Sequence, residues 1–119
     1  MSAPPARLLF LLRHGPGSRE VGEWLDAVLT FAAFDADIGI LMLDAGVLHA
    51  RQTPAPDSAT PQGNLLDNLR FFGVEALWAE RESLTEQNLR ANSLPPDIHG
   101  IGRADVAGFL DDFDQVFGA

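Results

Sequence analysis

Arg7-Leu-Leu-Phe-Leu-Leu-Arg13, the turn His14-Gly-Pro-Gly-Ser18, an amphipathic stretch through Phe34 and the run Ile38-Gly-Ile-Leu-Met-Leu-Asp44 together decide the fold class. The first run is short, almost wholly apolar and bounded by Pro5 and a glycine turn, as expected of a strand covered on both faces. From Ser18 the period changes. Val21, Trp24, Leu25, Val28, Leu29 and Ala32 fall at i, i+3, i+4, i+7, i+8 and i+11, one face of a helix. Ser18 is placed to cap this helix, and Glu20 and Glu23 suit its positive end. Ile38–Asp44 is a second buried strand, and a helix between two such strands implies a right-handed parallel crossover. The fold class is α/β.

The alternation continues to the end of the chain. Gln52 to Pro61, with three prolines, reads as an exposed loop. Thr60 and Pro61 open a helix whose apolar face is Leu65, Leu66, Leu69 and Phe72, stopped by Gly73. Val74 to Ala79 is a third strand. Ser83-Leu-Thr-Glu86 has capping-box spacing for a short helix through Arg90, which Pro95-Pro96 cannot extend. Ile98-His-Gly-Ile101 is a fourth strand. Arg103 to Asp114 carries Val106, Phe109, Leu110 and Phe113 on one helical face, and Gln115-Val-Phe117 suits a fifth, edge strand. The expected architecture is one three-layer α/β/α domain over residues 1–119, with a mainly parallel sheet of about five strands. A chain of 119 residues can bury roughly 65% of its unfolded surface without metal or disulfides.

Composition excludes whole blocks of chemistry. Without cysteine there is no thiolate nucleophile, persulfide carrier, iron–sulfur site or thiolate zinc site. Without lysine there is no Walker A loop, Schiff base or pyridoxal phosphate anchor. A net charge of −9 argues against gripping nucleic acid, because phosphate contacts need clustered positive charge. No apolar run approaches the length of a membrane span and no secretory leader is legible, so a cytoplasmic protein without membrane contact is expected.

Each candidate site has a functional and a structural reading. The turn His14–Ser18 precedes a helix N-terminus that could hold an anion, but Glu20 stands where the dinucleotide fingerprint wants glycine. A plain tight turn is the competing reading. Asp44 at a strand end suggests a ribose contact or a phosphoacceptor, yet a receiver domain would need an acidic pair after strand one and a late lysine, and both are absent. A carboxylate bonded within its own turn before Gly46 is the alternative. His14 and His49 fall just past strand ends, so a parallel sheet brings them toward one rim with Asp44 and Arg103. His99, inside a short apolar strand, suits a hydrogen-bonded structural role. Trp24 lies on the apolar helix face and reads as core. Trp78, at the end of strand three, suits either burial or contact with a partner. No metal set and no cofactor site emerges.

The order of elements also carries a resemblance. The centre Glu23-Trp-Leu-Asp-Ala-Val-Leu29, the segment Asp35-Ala-Asp-Ile-Gly-Ile-Leu-Met-Leu-Asp-Ala-Gly-Val47, then Asn68-Leu-Arg-Phe-Phe-Gly73, Leu77-Trp78 and Ser83-Leu84 resemble the DsrE/DsrF-like sulfur-relay family. The likeness is greatest to its TusC/DsrF subunits and spans nearly the whole chain. It implies a subunit of a TusBCD or DsrEFH type assembly with TusD/DsrE-like and TusB/DsrH-like partners, which passes persulfide sulfur between proteins, in the Tus case toward 2-thiouridine at the wobble position of certain tRNAs. In such assemblies the carrier cysteine sits chiefly on the TusD/DsrE subunit, at the end of the third strand. The stretch here is Trp78-Ala-Glu-Arg81, without a thiol, which implies a non-catalytic structural role. Val47 and Leu48 beside His49, together with Trp78, are the candidate interface. The competing readings are an independent binder or enzyme for a small ligand, an anion or nucleotide, using the rim of His14, Asp44, His49 and Arg103, and a self-associating DsrE-like protein.

Overall fold

A computed structural model describes residues 6–51, 65–90 and 94–118. The strands are β1 (Arg7–Leu12), β2 (Asp37–Met42), β3 (Ala76–Glu80), β4 (Ile98–Ile101) and β5 (Gln115–Phe117). They form one sheet in the order β4-β3-β2-β1-β5, every neighbouring pair parallel. The helices are α1 (Glu20–Ala32), α2 (Leu65–Phe71), α3 (Arg81–Glu86) and α4 (Arg103–Leu110), with a 3₁₀ turn at Asp44–Ala50.

The near-continuous apolar runs of β1 and β2 are explained by two covered faces. Leu8, Phe10, Leu12, Ile38, Ile40, Met42, Leu77 and Ala79 face a core closed by α1, α2 and α3. Leu9, Leu11, Leu41 and Leu43 face the opposite way, toward Val106, Phe109 and Leu110 of α4. The three-layer α/β/α arrangement follows. Trp24 packs on the first core, and its indole N–H donates to the Leu11 carbonyl at 3.0 Å. Trp78 packs on the second, its ring 4.8 Å from Phe109.

Local chemistry sets where the helices stop. Gly73 takes φ +88° after α2, where its N–H donates to Arg70 O and that of Val74 donates to Leu69 O. This left-handed closure satisfies two orphan carbonyls. The same closure ends α3 at Asn88, φ +61°, with Asn88 N–H to Thr85 O and Leu89 N–H to Leu84 O. The helix therefore stops before Arg90, and the stop is Asn88, well ahead of Pro95-Pro96.

Four sequence expectations need correction. Ser18 is not the cap of α1, which begins after Arg19 without a side-chain cap; the Ser18 hydroxyl donates instead to the Glu20 carboxylate. Ser83 is not an N-cap, because α3 starts at Arg81 and Ser83 is buried as its third residue. Phe72 falls at the turn into Gly73 and is 54% exposed, outside the core. Strand two ends at Met42, and Asp44 opens the 3₁₀ turn. The loop Gln52–Pro61 and the proposed cap Thr60-Pro61 lie outside the described residues.

Candidate functional site

A parallel sheet gathers the carboxyl ends of its strands on one edge, so the residues after β1, β2, β3 and β4 share a rim. Arg13 and His14 follow β1, Asp44 follows β2, Arg81 follows β3, and Arg103 stands just past β4.

Two groupings form there. In the first, His49 Nε2 lies 2.9 Å from the His14 carbonyl, which can only accept, so Nε2 carries the proton. Burial lowers the His49 pKa, and the bond to His14 opposes that only in part. A neutral, buried imidazole therefore ties the 3₁₀ turn to the end of β1. Gly46 makes this approach possible, because a Cβ at that position would stand 1.8 Å from the Leu12 carbonyl oxygen. Val47 is fully buried in this chain's own core, while Leu48 is half-buried.

The second grouping runs along the rim. Arg13 Nη1 donates to the Asp44 carboxylate at 3.0 Å, across a pair with both side chains about half exposed. Asp44 takes φ +52°, and its N–H donates to Ser83 Oγ at 2.8 Å. The Ser83 hydroxyl in turn donates to Glu80 Oε1 at 2.6 Å. Arg103 donates to Glu80 Oε1 at 2.8 Å and to Glu86 Oε1 at 2.8 Å, and Glu82 accepts the Arg103 backbone N–H at 2.9 Å. Burial pushes the Glu80 carboxyl up, but the bonds from Arg103 and Ser83 outweigh it and hold the pKa below the usual range. The Arg103 pKa is raised by the bonds to Glu86 and Glu80.

The residues singled out in the sequence thus divide into pairs. His14 meets His49; Asp44 and Arg103 are linked through Ser83 and Glu80. His99 is exposed, its ring 6.3 Å from Trp78. Sequence reasoning missed Arg13, Glu80, Ser83 and Glu86. The signal was present as acidic and hydroxyl residues packed into Glu80–Glu86, but it read as a capping box.

The rim is built to hold itself together. Both arginines that the groupings contain are engaged by carboxylates. The Glu20 carboxylate takes the Ser18 hydroxyl and its own backbone N–H, which places negative charge at the start of α1 where an anion would bind. Among the described residues no cluster of His, Asp and Glu is arranged to hold a metal ion. A separate open depression of about 410 Å³ is lined by Ala50, Arg51, Leu66, Arg70 and Asp97 among others. Its Arg70 is held by Asp97 at 2.6 Å and by Asp67 at 3.0 Å, and the bond to Arg70 keeps the Asp97 carboxyl below its ordinary range.

The sequence matches a known family over nearly its whole length. The model of the DsrE/DsrF-like family covers residues 6–118. The chain belongs to the DsrE/DsrF-like family. Among its relatives, a protein TusC homolog of Pseudomonas aeruginosa is 33% identical over 104 residues, covering 86% of this chain and 85% of the relative. A protein TusC homolog of Aliivibrio fischeri is 25% identical over 113 residues, covering 92% and 96%. Solved structures share the DsrE-like fold. The ychN protein from E. coli superposes with a TM-score of 0.74 at 12% identity, covering 96% of this chain and 99% of that one. A protein of unknown function from Methanobacterium thermoautotrophicum gives 0.66 at 13% identity, with the same coverage. Among the described residues no helix is long and apolar enough to cross a membrane.

Proposed function

We propose that this chain is a non-catalytic, TusC-type structural subunit of a TusBCD/DsrEFH-type assembly that passes persulfide sulfur between proteins toward wobble 2-thiouridine in tRNA. It works in the cytoplasm as a single domain with TusD/DsrE-like and TusB/DsrH-like partners. The observation that carries this reading is the 33% identity to a TusC homolog across 86% of a chain that holds no cysteine. Sulfur transfer by this route needs a thiolate to accept the sulfane sulfur, so the thiol must come from a partner. An acidic protein contributes through protein contacts, since its charge opposes a tRNA backbone. At the rim, His14, Asp44, Val47, His49 and Arg103 fix the shape, while half-buried Leu48 and Trp78 retain surface to meet a neighbour. The competing anion-binding reading loses support from Glu20, whose carboxylate already stands at the α1 N-terminus.

Co-expression with TusD-like and TusB-like proteins of the same genome tests the reading. One complex in size-exclusion chromatography with light scattering is the expected result. A chain eluting apart from both partners overturns it. Trp78→Ala should weaken assembly while leaving the circular dichroism of the isolated chain unchanged. Intact mass after a persulfide donor should show no stable added sulfur on this subunit.

A further inference from the structure

Helix α4 covers the second sheet face together with Phe113 just beyond it, yet none of the helix's residues is buried. Val106, Phe109 and Leu110 are half-covered, and the remaining α4 residues are exposed. Its intrinsic stability is low. Eight residues fall short of the length at which an isolated helix holds in water, and Gly108 is a poor helix former with open space around it. Gly102 precedes it without a side-chain cap. What replaces the cap is the charge cluster on Arg103, whose backbone N–H reaches Glu82 and whose guanidinium reaches Glu80 and Glu86. These partners all belong to the end of β3 and to α3, so the cluster ties α4 to the opposite side of the rim.

The far end of the segment is held independently. Asp114 N–H donates to Arg7 O at 2.8 Å, and Arg7 N–H donates to the Asp114 carboxylate at 2.8 Å. Beyond it Phe117 stacks on Phe10 at 4.7 Å, within the first-face core. The chain is therefore fixed at β4 and at β5, with the least-buried helix between them.

We propose that α4 is a detachable cover latched by Arg103. It opens locally, with β1 to β5 still paired, and uncovers Trp78, Leu9, Leu11, Leu41 and Leu43. Opening of this kind belongs to segments with few buried apolar contacts. The inference concerns the mechanics of the chain and stands apart from its place in any assembly.

Hydrogen exchange read by mass spectrometry on the whole chain tests it. Peptides covering 103–110 should exchange well ahead of those covering α1, and Arg103→Gln should speed them about tenfold with α1 and α2 unchanged, as the loss of an ion cluster anchored on a buried carboxylate allows. Fluorine NMR of protein carrying 5-fluorotryptophan reads the same event in space. Arg103→Gln should move the Trp78 resonance, assigned with Trp78→Phe, and leave that of Trp24 in place. Should Arg103→Gln fail to fold, the unaltered chain in 1 M NaCl serves, since screening at about 3 Å weakens the half-exposed latch. Exchange of α4 at the same rate as α1, at low and high salt alike, would overturn the proposal. So would equal acceleration of every helix in Arg103→Gln.

Discussion

The Ser83 hydroxyl donates to Glu80 Oε1 at 2.6 Å, and neither side chain has more than a trace of surface. Ser83 Oγ in turn accepts the Asp44 N–H at 2.8 Å, so one buried hydroxyl joins the ends of β2 and β3. Ser83→Ala removes both bonds and leaves a polar group without a partner. A loss of about 1–3 kcal/mol is expected in urea unfolding. Ser83→Thr, which keeps the hydroxyl, should lose less if the extra methyl is accommodated.

Acid should destabilise the chain in two windows. Burial depresses the His49 pKa below its ordinary 6.5, so between the two values the unfolded chain binds more protons than the folded one. The stability held by neutral His49 is complete above about pH 6.5 and declines as pH falls through the folded pKa. Glu80 and Asp97, held below their ordinary 4.5 and 3.8, act in the same direction at lower pH. Urea midpoints from pH 8 down to about pH 2 should fall first near the histidine range and again below the ordinary carboxylate values. His49→Gln should flatten that first fall and leave the second.

Gly46→Ala should be among the most damaging single changes. A Cβ there would stand 1.8 Å from the Leu12 carbonyl oxygen, which is backbone and cannot swing aside. We expect more than about 3 kcal/mol of destabilisation, measured by denaturant midpoint, or failure to express in soluble form. Gly22→Ala, with open space around it on α1, should be neutral or slightly stabilising.

Two apolar positions on one helix should respond oppositely. Leu66, 1% exposed, packs in the first core, and Leu66→Ala should cost about 2–5 kcal/mol. Phe71, 83% exposed, should tolerate Phe71→Ser within about 0.5 kcal/mol by thermal unfolding of the isolated chain.

The difference between Leu66 and Phe72 shows what the sequence makes legible. Helical spacing marked Leu65, Leu66 and Leu69, and all three are buried. Phe72 continues the same spacing but lies past the last turn, where the chain has already swung toward left-handed Gly73. Strand runs and the α4 face, Val106, Phe109 and Leu110, were legible for the same periodic reason, and Phe113 packs on the same core from just beyond the helix. The rim was legible only as a place. Its pairings join residues far apart in sequence, His14 with His49 and Glu80 with Arg103, and no local period encodes them. Ser83 illustrates the conflict. Its capping-box spacing is present in the sequence, yet the buried Glu80 carboxylate and the Asp44 amide claim the hydroxyl.

The sheet order has a consequence for synthesis. β1, β2, β3 and β4 are laid side by side in the order in which they leave the ribosome, so each finds its neighbour already present. β5 alone returns to the starting strand, pairing Gln115–Phe117 with Leu8–Phe10. Until those last residues emerge, one flank of the nascent sheet displays the unpaired main chain of Leu8, Leu9 and Phe10, the kind of edge that recruits strands from other chains. A translation product that stops short of Gln115 would keep that flank open permanently, and should be sticky out of all proportion to the few residues it lacks.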